Sequence, residues 1–129
     1  MIILGLDLSL TGTGMCVVES NAGDGKGLLA TINTTAKTRT EDRLISIRRT
    51  IAQASNGADA AIIEGLSYGS VGGAQAERSA LHWNVEAKND NEADAAALAH
   101  LGLVYYGQAE HQTIAQQEVI YKLRKERGR

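Results

Sequence analysis

The chain lacks the residues that mark exported or membrane-bound proteins. It has one cysteine, Cys16, so no disulfide can form within the chain and a reducing compartment fits. No apolar run approaches the roughly 18 residues of a membrane span, and the N-terminus lacks the charged region of a signal peptide. Proline is absent, as are internal repeats and low-complexity tracts. We therefore expect a cytoplasmic protein with no membrane partner.

An excess of charge of one sign is also missing. The 129 residues contain 13 Lys and Arg against 15 Asp and Glu, a formal net charge of −2, which gives no overall basic field to attract a polyanion. A polyanion would have to be bound through local patches of cations. Hydrophobic residues make up 43% and charged residues 22% of the chain, a composition that excludes disorder. Length and composition together predict one domain over residues 1–129.

Short apolar segments separated by turn residues predict three strands at the start of the chain. The strands are expected over residues 2–8, 15–19 and 28–33. A Thr-Gly-Thr-Gly turn over residues 11–14 joins the first two, and a turn over 21–25 joins the last two. Because links this short connect antiparallel neighbours, the three strands should form one antiparallel unit.

Helices and a parallel strand follow this unit. Thr40 can cap a helix whose apolar positions recur at helical spacing, at Leu44, Ile47 and Ile51. Residues 60–65 predict a fourth strand, parallel to the first because a helix separates them. After a glycine-rich loop over 67–73, helices are expected over residues 74–87, 90–107 and 113–129. The predicted fold class is α/β, with three antiparallel strands, then parallel strands, and flanking helices.

Three acidic residues stand at the ends of predicted elements. Asp7 lies within an apolar strand, Glu64 ends the fourth strand, and Asp94 lies in the first turn of a helix. Singly, each has a structural explanation as a hydrogen-bonded, solvated or capping residue. Parallel neighbouring strands would nevertheless bring Asp7 and Glu64 side by side, and carboxylates clustered in this way raise one another's pKa unless cations lie between them. Two divalent ions suit displacement at phosphorus, and oxygen donors select Mg²⁺ or Mn²⁺.

Three segments, in this order, resemble the motifs of the RuvC-like Holliday junction resolvases of the ribonuclease H-like superfamily, and specifically their short phage branch. Residues 5–14 resemble the first motif of the family. Residues 62–65, followed by Tyr68-Gly69, resemble the second, and residues 91–95 resemble the last. The resemblance extends over residues 2–83 and 89–103. It implies a ribonuclease H-like mixed sheet flanked by helices.

The resemblance also implies a function. A magnesium-dependent endonuclease of this kind would cleave phosphodiesters symmetrically across a four-way DNA junction as a homodimer, with Mn²⁺ able to substitute and other branched DNA as further candidate substrates. Asp7, Glu64 and Asp94 would be catalytic and would hold two magnesium ions. Cellular members carry an acid where Asn91 stands, so the fourth ligand is predicted to be Asn91, with Asp90, Glu92 or water as alternatives. A phage-encoded member would act in the cytoplasm of its bacterial host.

The chain departs from the family pattern in one interval. The family places a fifth strand, a further helix and a Lys-bearing, glycine-rich loop between the second helix and the last motif, whereas only residues 84–89 fill that interval here. The fourth strand would then present an open edge. The loss of a basic loop would also account for the slightly acidic net charge.

Four residues are predicted to contact DNA. Tyr68 can stack on an unpaired base at a junction, and Arg78 lies beside the glycine-rich loop, where a backbone can approach closely. Arg39 and Arg43 belong to a basic cluster around the first helix, for which phosphate contacts and a solvated helix face are alternative explanations. The same two explanations hold for the cations between residues 122 and 129.

Two other functions stay open at this point. A catalytically inactive DNA-binding or scaffolding relative is made plausible by Asn91 and by the shortened interval, and a junction-cleavage assay discriminates it. Actin-like and sugar-kinase ATPases also begin with an Asp-containing strand and a Gly/Thr hairpin that cradles phosphate. They need two such domains and a longer chain, and a magnesium-ATP binding assay would identify one.

Overall fold

The computed structural model describes residues 1–20, 26–64, 86–110 and 113–128. Within these ranges the strands are β1 (Ile2–Asp7), β2 (Gly12–Glu19), β3 (Lys26–Asn33) and β4 (Ala60–Ile63). The helices are α1 (Thr40–Ala54), α2 (Asp90–Tyr105) and α3 (Ile114–Glu126). The glycine-rich loop predicted over 67–73 lies outside the described residues. So does the helix predicted over 74–87, apart from Glu86 and Ala87, which are not helical.

The described strands form one mixed sheet in the order β3-β2-β1-β4. β2 pairs antiparallel with both β1 and β3, whereas β4 pairs parallel with β1, which confirms the predicted topology. The turn predicted over 11–14 lies earlier in the chain than expected. Gly12 pairs with Asn33 and Gly14 pairs with Asp7, so β2 begins at Gly12 and the hairpin keeps only residues 8–11.

Alternation along β1 divides the core between the two faces of the sheet. Leu4 and Leu6 point to one face, where they pack with Ile47 of α1. Ile3 points to the other face and packs with buried alanines of α2. Asp7 has the same parity as Ile3 along the strand, so it lies on the α2 face at the carboxyl end of β1.

Glycines in the strands let α2 lie directly on the sheet. A Cβ at Gly14 would overlap the carbonyl oxygen of Asn91, and one at Gly5 would lie 2.6 Å from the amide nitrogen of Ala99. Any larger residue at either position would push the helix away from the strands. The start of α2 is therefore held beside the end of β1, where Asp7 lies.

The first helix differs from the prediction in its cap and in its buried face. Thr40 is the first helical residue, and Arg39 occupies the cap position without a side-chain capping bond. Leu44, predicted to be apolar core, is 54% exposed, whereas Arg43 is 7% exposed. The guanidinium of Arg43 donates from Nε to Thr34 Oγ1 (3.1 Å) and from Nη2 to the carbonyl oxygen of Leu10 (2.9 Å). These bonds offset the cost of burying a cation.

The last helix packs against the end of α2. Thr113 caps it by accepting a bond from the Gln116 amide at 3.2 Å. Arg124 donates to the carbonyl oxygens of Val104 (3.2 Å) and Tyr105 (2.8 Å), and so caps α2 from outside. Within the described ranges, no helix is both long and apolar enough to cross a membrane.

Candidate metal centre

The carboxylates of Asp7 and Glu64 meet at the carboxyl ends of β1 and β4. Leu6 pairs with Ile63 across the two strands, and the Glu64 amide continues the pairing by donating to the Leu6 carbonyl oxygen at 3.1 Å. The two acids follow these partners and point to the same face. Burial is the main cause that raises the pKa of Asp7 to about 6, followed by a side-chain hydrogen bond with Glu64 and the charge of Glu64.

Asp94 approaches this pair from α2. Burial raises its pKa, and the charges of Asp7 and Asp90 raise it further. Asp7 therefore interacts with both Glu64 and Asp94. Among the described residues, no Lys, Arg or His forms an ion pair with any of the three.

The three acids offer carboxylate oxygens, the donors that hard divalent ions prefer. In the part of the chain that the structure describes, no three Asp, Glu, His or Cys side chains converge tightly enough to enclose one ion. The interactions among the acids are pairwise: Asp7 with Glu64, Asp94 with Asp7, and Asp94 with Asp90. Carboxylate oxygens of neighbouring acids can bind hard divalent ions together.

The candidates for a fourth ligand differ in their surroundings. Glu92 is 5% exposed, and both of its oxygens are used: Oε1 accepts from Thr31 Oγ1 at 2.9 Å and Oε2 from the Lys88 amide at 2.8 Å. Asp90 is exposed and near enough to raise the pKa of Asp94. The Asn91 backbone packs on Gly14, which pairs with Asp7. Asn91 stays the predicted ligand, Asp90 is its charged alternative, and Glu92 has a structural role.

No protein-family model matches the chain, and no curated protein matches it in sequence. Similar solved structures include Thermus thermophilus RuvC in complex with a Holliday junction substrate, with a TM-score of 0.64 and 17% identity over 84% of this chain and 98% of that one. The fold is RuvC-like. A second T. thermophilus RuvC structure has a TM-score of 0.64 and 16% identity with the same coverage. The ribonuclease H-like fold predicted from the sequence is confirmed, and the phage branch stays a prediction.

The residues predicted to contact DNA differ in their exposure and in their partners within this RuvC-like fold. Arg43 is buried, and its guanidinium donates to the Leu10 carbonyl oxygen and to Thr34 Oγ1, contacts that favour a structural role. Arg39 is exposed, with Nε 3.7 Å from Glu41 and 3.9 Å from Asp42. Tyr68 and Arg78 lie outside the described residues.

Sequence reasoning missed the residues that hold the start of α2. Asn89 caps this helix, since its Oδ1 accepts from the Glu92 amide at 3.0 Å, while its Nδ2 donates to Thr31 Oγ1 at 3.0 Å. The signal was present as Asn-x-x-Glu, the spacing of a capping box. Thr31 had no local signal, because it comes from a distant strand.

Proposed function

We propose that this chain is a magnesium-dependent DNA endonuclease that cleaves four-way junctions. The observation that carries the proposal is the placement of Asp7 and Glu64 at the paired ends of β1 and β4. Burial, and then Glu64, raise the pKa of Asp7, and burial, and then the charge of Asp7, raise that of Asp94. The three carboxylates are held together against repulsion at the end of the central strands of a RuvC-like fold. Such an arrangement costs stability unless cations bind there, which is typical of a functional site.

Oxygen donors of this type fit Mg²⁺, with Mn²⁺ as a substitute. When bound, the ions would polarise a phosphodiester and activate the attacking water. Asp7, Glu64 and Asp94 would hold the ions, with Asn91 or Asp90 as a further ligand. The three acids would hold the reacting phosphate in place through the ions.

The proposed substrate is a Holliday junction, with other branched DNA as further candidates. Thermus thermophilus RuvC, which shares the fold, is known in complex with a Holliday junction substrate. A symmetric junction offers two equivalent cleavage positions, so a homodimer would bring one site to each. Arg39, Tyr68 and Arg78 are the proposed DNA contacts, and Arg43 is not among them.

Cleavage of labelled four-way junctions and of matched linear duplexes tests the proposal. We expect cutting of the junction in Mg²⁺, none in excess chelator, and a loss of about a hundredfold or more in Asp7→Asn, because one ligand charge disappears. Glu118→Gln, at an exposed acid on α3, is the matched control and should cleave normally. Cleavage that persists in chelator, or in Asp7→Asn, would refute the assignment.

A catalytically inactive junction-binding protein is the second candidate, favoured by the neutral Asn91 near the acids. It predicts binding of the junction without cutting in either Mg²⁺ or Mn²⁺. Asn91→Asp separates the two candidates further. If the wild type is inactive and this variant cleaves, the missing charge is the reason for the inactivity.

A further inference from the structure

Cations are concentrated at the C-terminal end of this chain. Between Lys122 and Arg127 there are four cations and one anion, although the whole chain has a net charge of −2. Lys122, Lys125 and Arg127 are named here the basic end of α3. All three are exposed, and they form no salt bridge with any other described residue.

One member of the basic end of α3, Arg127, lies beside the strand that leads to Glu64. Lys122 lines a second groove, with Gly107 and Glu118. Leu123 and Arg127 line one groove of about 220 Å³ together with Ile62 and Ile63 of β4. Ile63 immediately precedes Glu64, whose carboxyl is hydrogen-bonded to that of Asp7. The bonds from Arg124 to the last carbonyl groups of α2 fix α3 in this place.

Other cations at the acidic end of the sheet are less available to a phosphate. Arg43 is buried and hydrogen-bonded within the protein. Arg39 has two carboxylates within 4 Å of its Nε, at 3.7 and 3.9 Å. DNA affinity depends on Lys and Arg side chains that replace the counterions of the phosphates. The basic end of α3 provides such side chains without a competing salt bridge among the described residues.

We propose that the basic end of α3 binds the phosphate backbone of a DNA arm whose scissile phosphate lies at Asp7 and Glu64. This inference rests on the proposed function. The basic end of α3 would supply the cationic contacts to the DNA backbone that a site made of carboxylates lacks. Cations in a last helical turn also favour the helix dipole. That purely structural role would change stability and would leave the salt dependence of DNA binding unaltered.

The test measures junction affinity between 50 and 200 mM salt in chelator, so that no cleavage occurs. The triple variant Lys122→Gln, Lys125→Gln, Arg127→Gln is compared with wild type. The matched control is Lys26→Gln, Arg48→Gln, Arg49→Gln, which removes three exposed cations from β3 and α1. Thermal melting reports on folding, and the single variants replace the triple one if it melts early.

Three lost phosphate contacts should reduce the slope of log Kd against log salt by about 2.7. The weakening of junction binding between 50 and 200 mM salt should then be roughly 40-fold smaller in the triple variant than in wild type. Each single variant should reduce the slope by about 0.9, and the control should keep the wild-type slope. If the triple variant has the same slope as wild type, or if the control loses as much slope as the triple variant, the inference about α3 is wrong. Neither outcome would contradict the proposed function. Wild type that neither binds nor cleaves junctions would instead refute the proposed function.

Discussion

Thr31 on β3 donates a 2.9 Å hydrogen bond from its hydroxyl to Oε1 of Glu92, 61 positions further along the chain. Asn89 donates to the same hydroxyl, and the Lys88 amide donates to the other oxygen of Glu92. This cluster ties the start of α2 to the sheet two residues before Asp94. The position of one proposed metal ligand therefore depends on a strand at the far side of the sheet.

Glu92→Ala should destabilise the protein and weaken its response to Mg²⁺. The Thr31 hydroxyl and the Lys88 amide would lose their acceptor, at a cost of about 1–3 kcal/mol, and Asp94 would lose its support. Urea unfolding measures the first effect, and the Mg²⁺ concentration for half-maximal cleavage measures the second. Glu118→Ala, on an exposed part of α3, serves as the control. Unchanged unfolding and Mg²⁺ dependence would show that the cluster does not position α2.

Much of the fold follows from local patterns in the sequence. Strand alternation and short links give the order of β1 to β3, and the helical crossover makes β4 parallel to β1. These two facts place Asp7 and Glu64 side by side, because the carboxyl ends of parallel neighbours meet at one edge. No longer-range information is needed for this pair.

Other features depend on groups that come together only in the folded chain. Arg43 and Leu44 are adjacent positions near the buried stripe of α1, and the apolar residue is the natural choice for the core. Arg43 is the residue that is buried, because its guanidinium is hydrogen-bonded to the carbonyl of Leu10 and the hydroxyl of Thr34, which come from two separate connections. Likewise Glu92 resembles a metal ligand in sequence until Thr31 is placed beside it.

The metal-free protein should lose stability as the pH rises through the pKa of Asp7. Burial and Glu64 raise this pKa from 3.8 to about 6, so the folded state binds the proton more tightly than the unfolded state. The resulting stability is complete below pH 3.8 and is lost as the pH rises through about 6. Asp7→Asn should therefore melt at a higher temperature than wild type at neutral pH in chelator, and the difference should shrink in acid.

Mg²⁺ provides the companion measurement at neutral pH. A ligand that binds only the folded state raises the melting temperature, so Mg²⁺ should stabilise wild type more than Asp7→Asn. A variant that melts below wild type at every pH would contradict the proposed repulsion between the carboxylates.

Gly14→Ala should be far more damaging than Gly12→Ala. A Cβ at Gly14 would overlap the backbone of Asn91, which can move only with α2, whereas one at Gly12 would lie 2.9 Å from the flexible Asn91 amide group. Overpacking of this kind costs about 1–3 kcal/mol or more. Urea unfolding of the two variants should rank them in this order, and junction cleavage should fall most in Gly14→Ala. Equal stabilities would mean that α2 does not lie as closely on β2 as described.

Arg43→Lys should separate a structural arginine from a DNA-binding one. The guanidinium bonds Thr34 and the Leu10 carbonyl at once, and a lysine ammonium does not reproduce this planar fork. We expect a loss of about 1–3 kcal/mol in unfolding free energy, with the salt dependence of junction binding unchanged for the folded protein. Arg39→Gln, four residues earlier and exposed, should behave in the opposite way, with stability within about 0.5 kcal/mol of wild type. Its salt slope should fall by at most about 0.9, because Glu41 and Asp42 compete with a phosphate for the guanidinium. If Arg43→Lys unfolds like wild type but shows a reduced salt slope of DNA binding, Arg43 contacts a DNA phosphate.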